Sequence, residues 1–282
     1  MHTPLCGHAV GEPAEFVEAA LARGLQTIIF TCHIPMPSAR FGGAGIRMDR
    51  DMLPLYRRYV EEARALGKDA GLEVRYGIEA EVFPDAQVME WMDEILATER
   101  FDFILGSLHH QVGAYRDWLR EHGVTSDEAI VRHYFTHLAA GARSGRYHSL
   151  AHPDVIRLYG TLRDGFEPER ALPWFEEVVE AAVENDVCLE LNTSGLFKGD
   201  YVMHPDPLLI RVAAEAGAKF TLGSDSHIPT ALAQGFDQAV RQLRASGIGE
   251  VYVFNGGERE ALPLPELADL PEGDEAPPSI PS

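Results

Sequence analysis

The sequence predicts an α/β fold in which short parallel strands alternate with helices, as a barrel or a doubly wound sheet. Three observations carry the prediction. Short apolar runs recur along nearly the whole of the 282 residues, segments with helical spacing separate them, and His, Asp or Glu stands just past most of the runs. The third observation bears on function, because the strand ends of a parallel barrel converge on one mouth, where such folds place their active sites.

The elements follow in order. Residues 14–23 have helical spacing and stop at Gly24, as a C-terminal cap does. Residues 26–30 form a β-branched apolar run, and Thr31-Cys32-His33 comes directly after it. A second helical stretch, 52–66, ends at Gly67 and leads to the run at 72–76, followed by Gly77-Ile78-Glu79-Ala80-Glu81. The run at 101–105 precedes Gly106-Ser107-Leu108-His109-His110. A helix is expected over 127–140, a strand over 147–151, and then His152-Pro153-Asp154. Residues 173–184 read as a helix and 187–191 as a strand. The helix at 208–216 is capped by Gly217, and the run at 218–222 leads into Gly223-Ser224-Asp225-Ser226-His227. A last helix over 230–246, capped by Gly247, precedes a strand over 250–254. Such short, nearly continuous apolar runs are what buried parallel strands look like. No Gly-x-Gly-x-x-Gly fingerprint follows the first strand, and Gly42, Gly43 and Gly45 fall in a loop instead. Residues 1–262 are expected to form one domain; 263–282, rich in Pro and acidic residues, read as a mobile surface tail, with a docked arm as the alternative.

Composition narrows the function. Asp and Glu number 44 against 24 Lys and Arg, a formal charge of −20. That balance opposes binding to long nucleic acids, which needs clustered cations. A small phosphate ester remains compatible, because bound metal ions reverse the local charge. No apolar run approaches the ~20 residues of a membrane span. Three cysteines without a C-x-x-C pairing argue against a disulfide framework and point to a reducing cytoplasm.

His33, His109, His152 and His227 each follow a run, and Asp225 shares a turn with His227. Four such placements favour a metal centre, and mixed His and carboxylate donors suit Zn, Mn or Fe better than Ca or a lone Mg. Glu79 and Glu81 face the same way if their strand continues through them; Glu79, nearer the strand, is the expected ligand. His110, His122, His133, His137, His148 and His204 lack a comparable pattern and are read as ordinary polar residues.

These strand ends, with the opening His2-Thr3-Pro4-Leu5-Cys6-Gly7-His8 and the Pro35-Met36-Pro37 after His33, resemble the PHP (polymerase and histidinol phosphatase) family. Within it they most resemble the monofunctional histidinol-phosphate phosphatases. The resemblance implies a distorted (β/α)7 barrel, two or three divalent ions and hydrolysis of a phosphomonoester, L-histidinol phosphate, in histidine biosynthesis. It implies His2, Glu79 and Asp225 on one ion, Glu79 bridging to a second ion with His109 and His152, and His8, His33 and His227 on a third. The family opens its first motif as His-x-His, and Met1 occupies the middle position; a start site assigned too late or a truncated chain is expected, with a genuine loss of the first His as the alternative. Cys32 stands where the family has an aspartate; it replaces a supporting carboxylate, with a soft ligand as the lesser alternative.

Two ions about 3.5–4 Å apart could neutralise the phosphate and activate water. Asp225 or His227 is then the expected proton donor. Arg157, Lys198, Arg40 and Arg47 are candidate phosphate clamps. The alternatives are another PHP phosphoesterase with a different small phosphate ester, a catalytically impaired metal-binding relative, and an amidohydrolase-like barrel. The last would be expected to use a strand-end lysine, and none directly ends a run here.

Overall fold

The computed structural model describes residues 1–158, 160, 162–198 and 202–269. Six strands form one parallel sheet in the order of the chain: β1 (Thr27–Phe30), β2 (Glu73–Glu81), β3 (Phe103–Ser107), β4 (Ser149–Leu150), β5 (Cys188–Asn192) and β6 (Phe220–Gly223). Neighbours in sequence are neighbours in space, and the sheet curls into the distorted barrel that the sequence suggested. Around it lie α1 (Pro13–Ala22), the single turn α2 (Ala39–Gly42), α3 (Leu53–Lys68), α4 (Ala86–Thr98), α5 (Gly113–Glu121), α6 (Asp127–Arg143), α7 (Pro168–Glu184), α8 (Pro207–Glu215) and α9 (Phe236–Ala245). The apolar residues of these helices and the outer strand faces form one large core, with Phe16, Phe30, Tyr56, Phe135 and Phe175 fully buried.

The ring is held together at its mouth by the first two residues. Thr31 N donates to Met1 O and His2 N donates to Ser226 O, each at 2.9 Å. This places His2 between the ends of β1 and β6. Below it, a cavity of about 910 Å³ runs between those two strands down to the last hairpin.

That hairpin is the main difference from the sequence reading. The expected seventh strand forms, as β7 (Glu250–Asn255), but pairs antiparallel with β8 (Glu258–Pro263). The Gly256-Gly257 pair explains it: both residues have positive φ and reverse the chain tightly. Phe254 of β7 packs with Phe103, Leu105, Ala151 and Cys188 as a small second core.

Two helices differ as well. The expected helix at 230–246 begins only at Phe236, because Gly235 adopts φ +75° and breaks the pattern. Conversely, α7 starts at Pro168 rather than Pro173; both prolines suit a helix start, and Pro173 ends up inside the helix. Pro263, where the expected tail starts, closes β8, and Leu264 is buried with its N–H donating to Gly249 O at 2.9 Å. Residues 270–282 lie outside the described residues. Among the described residues, no helix is long and apolar enough to cross a membrane.

Candidate metal centre

β2 sets the geometry. It continues through Glu81, so Glu79 and Glu81 project to one side, two residues apart. Their fates differ. Glu79, 3% exposed, lies among four histidines: Oε2 is 2.9 Å from His33 Nδ1 and 3.5 Å from His2 Nε2, while Oε1 is 3.4 Å from His152 Nε2 and 3.6 Å from His109 Nε2. Glu81 lies farther along and takes His109 Nδ1 at 2.6 Å together with the Arg47 guanidinium. Glu81 therefore orients His109 by accepting its Nδ1–H, which leaves the Nε2 lone pair turned toward Glu79.

The opposite wall comes from the N-terminal segment and the loop after β6. His2 Nε2 lies 3.0 Å from Asp225 Oδ1. A short turn at Pro4–Cys6, capped by Gly7 at φ +81°, brings His8 back toward the centre. A side chain at Gly7 would meet Gly45 O at 2.4 Å, so the close approach of the two loops requires glycine there. His8 and His227 then face each other, with their Nε2 atoms 2.8 Å apart. In each ring the other nitrogen is placed to donate to a carbonyl: His8 Nδ1 to Cys6 O at 3.2 Å and His227 Nδ1 to Asp225 O at 2.9 Å. In those tautomers both Nε2 atoms carry lone pairs aimed at one point. Two facing lone pairs repel unless a cation or a proton lies between them.

The electrostatics divide the ligands: against burial, contact with Glu79 raises His152 to about 9 and contact with Cys6 raises His8, while the carboxylates fall. Burial raises the Glu79 carboxyl, but its contacts with His33, His109 and His152 outweigh it and hold the group well below its ordinary range. Asp225 behaves likewise, with Lys198 and His227 outweighing burial. Both are anionic donors at neutral pH. Burial pushes His33 down to about 3 and His227 down to about 4, so both are neutral with lone pairs available. Asp225 and His227, the expected proton donors, stand together on this wall of the centre, with His227 Nδ1 3.7 Å from Asp225 Oδ1.

His152 and Asp225 have positive φ values of 26° and 45°. Non-glycine residues in that region are uncommon and cluster at functional sites. Glu190, a carboxylate inside the apolar strand β5, helps to hold His152: its Oε2 accepts the His152 N–H at 3.0 Å and the Asn192 side-chain amide at 2.9 Å. Burial raises the Glu190 carboxyl above its ordinary range. A charged residue flanked by Leu189 and Leu191 was the sequence signal for this role.

The candidate phosphate clamps separate clearly. Lys198 Nζ lies 2.6 Å from Asp225 Oδ2, at the rim of the centre. Arg47 pairs with Glu81, and its Nη2 lies 3.5 Å from His109 Nδ1; its other donors serve Gly42 O and Ile34 O. Arg157 is engaged by Met203 O, Asp154, Asp206 and His204, so its guanidinium is already satisfied within the fold. Arg40 is about half exposed and pairs with Asp117 of α5. The histidines without a ligand pattern also find other roles. His110 lies against Leu158 O, His204 against Asp154, His148 against Phe254, and His122, His133 and His137 around Trp118.

Comparison with known proteins adds four findings. The PHP domain matches residues 1–194. The chain is 34% identical over 253 residues to the "Probable histidinol-phosphatase" of Deinococcus radiodurans, covering 88% of this chain and 92% of that protein. It is 24% identical over 249 residues to the "Histidinol-phosphatase" of Lactococcus lactis, covering 86% and 88%. Among solved structures it is similar to histidinol phosphate phosphatase from Lactococcus lactis, complexed with Zn, L-histidinol and phosphate. That match has a TM-score of 0.75 at 22% identity and covers 92% of this chain and 97% of that one. At that identity it bears on the fold alone.

Proposed function

Because this chain belongs to the PHP domain family, we propose that it is a metal-dependent histidinol-phosphatase, converting L-histidinol phosphate and water to L-histidinol and phosphate. The observation that carries the metal dependence is the pair of Nε2 lone pairs on His8 and His227, directed at each other across 2.8 Å. The substrate is carried by the relatives named histidinol-phosphatase, which match the chain along most of its length.

The donor set fits divalent transition ions such as zinc, manganese or iron. His2, His8, His33, Asp225 and His227 would serve one side of the centre, His109 and His152 the other, and Glu79 both. Ions held there would neutralise the phosphate charge and acidify the attacking water. The chain's own residues do the rest. Glu81 keeps the His109 ring turned so that Nε2 faces inward. Glu190 holds the backbone of His152 in its left-handed conformation. Lys198 places an ammonium at the rim, where a phosphoryl oxygen can compete with Asp225 for it. The anionic mouth would in turn suit the ammonium and imidazole of histidinol.

The test is phosphate release. Enzyme stripped with EDTA should be inactive and recover with zinc, manganese or iron, and L-histidinol phosphate should be the preferred member of a panel of small phosphate esters. His152→Ala and Asp225→Asn should each reduce the rate at least 100-fold. Equal rates on every ester would remove the substrate assignment. Full activity in EDTA, or in either variant, would remove the centre.

A further inference from the structure

On the far side of His2 lies a group of donors outside the eight-residue centre. Cys6 and Cys32 are both free thiols and both fully buried. Their sulfurs and one ring nitrogen of His2 all lie within 4.8 Å of one another. Thr3 ties the two cysteines together: its hydroxyl donates to Cys32 Sγ at 3.3 Å, and its carbonyl accepts from Cys6 Sγ at 3.1 Å. The Tyr56 hydroxyl accepts from Cys32 N at 3.2 Å and fixes the backbone beneath. His2 Nε2 is turned to Asp225 and Glu79, which leaves Nδ1 for the thiols. Nδ1 is buried and has no hydrogen-bond partner among the described residues. Metal-ligating histidines almost always give their second N–H to a carboxylate, a carbonyl or water; this one faces sulfur.

We propose that Cys6, Cys32 and His2 Nδ1 form a separate site for a soft, thiophilic divalent cation, with Zn²⁺ and Cd²⁺ as the chemical class. Two thiolates and an imidazole are three of the four positions of a tetrahedral zinc site. Two sulfurs on one zinc stand roughly 3.8 Å apart, given a Zn–S bond of about 2.3 Å, which the 4.8 Å limit on this cluster accommodates. Binding replaces one proton on each thiol, so two protons are released per ion. It also has a consequence for the neighbouring centre. A neutral imidazole has a single lone pair. With Nδ1 on the soft ion, Nε2 carries the ring proton and donates it to Asp225 Oδ1. His2 is then withdrawn as a ligand, and the two sites compete for one side chain.

The test uses the whole chain with Co²⁺ and Cd²⁺ as probes. Co²⁺ should produce a thiolate-to-metal charge-transfer band in the near ultraviolet with the release of two protons per ion, and Cd²⁺ should displace it without further proton release. The band is a property of the thiols and does not depend on the phosphatase reading. Cys6→Ser and Cys32→Ser should each abolish it. In the activity assay, Cd²⁺ should inhibit the wild type, and Cys32→Ser should raise the inhibitory concentration at least tenfold. Cobalt bound to the wild type without a charge-transfer band would overturn the site, and that result needs no variant to fold. A band that survives in both serine variants would do the same. Cadmium inhibition unchanged in Cys32→Ser would overturn the competition for His2.

Discussion

At the scale of single residues, the centre depends on side chains that stand two apart on one strand and do different work. Glu79 is within 3.6 Å of four imidazoles, whereas Glu81 supports one of them from behind. Glu81→Gln keeps the shape but loses the charge that fixes the His109 ring. It should weaken metal affinity or activity about 10–100-fold, read by metal titration beside steady-state kinetics; an unchanged affinity and rate would deny Glu81 that role. If Lys198 clamps the phosphate as proposed, Lys198→Ala should raise KM for the phosphate ester more than it lowers kcat. The sequence showed that both glutamates share a face, but not which reaches the histidines, since that depends on where β3 places His109. Likewise Arg157 and Lys198 looked alike in sequence. Only packing shows that Arg157 is consumed by Met203, Asp154, Asp206 and His204.

At the scale of elements, α5 and α6 carry a feature unrelated to the centre. Trp118 of α5 is surrounded by His122, His133 and His137. Burial, and then the charges of His133 and His122, push His137 down to about 4. The sign follows directly. In the unfolded chain His137 titrates near 6.5, so as pH falls from about 6.5 toward 4 the unfolded state takes up a proton that the folded state refuses. Stability is complete above that window and declines through it, by at most about 1.4 kcal/mol per pH unit for this group. Urea unfolding at pH 7 and pH 5 should show the loss, and His137→Gln should lessen it. An identical pH slope in the variant would place the effect elsewhere. Helix boundaries were legible where glycine caps them, as at Gly24 and Gly217. They were not legible at α9, where the left-handed Gly235 is seated against Leu196 and Phe197 from a distant loop.

At the scale of the whole molecule, the centre joins the N-terminal segment to the ends of β1, β2, β3, β4 and β6. An ion that binds only the folded chain therefore ties most of the ring together. At about 100 times its dissociation constant it should add about 2.7 kcal/mol. Zinc-loaded protein should accordingly melt several degrees above the EDTA-treated form, at roughly 2–4 °C per kcal/mol for a chain of this size. Equal melting points would argue that the ligands do not share an ion. The sequence by itself determined the alternation of strands and helices and named most of the candidate donors. Both are local properties: apolar runs, glycine caps, and His or Asp placed just past a strand. Tertiary structure alone decided the rest. It turned the last strand back into a hairpin, set His8 against His227, put Glu190 behind His152, and gathered Cys6, Cys32 and His2 at one point. Those outcomes join residues up to 219 positions apart, and a distance in space between such residues is fixed by how the sheet curls, which no local pattern records.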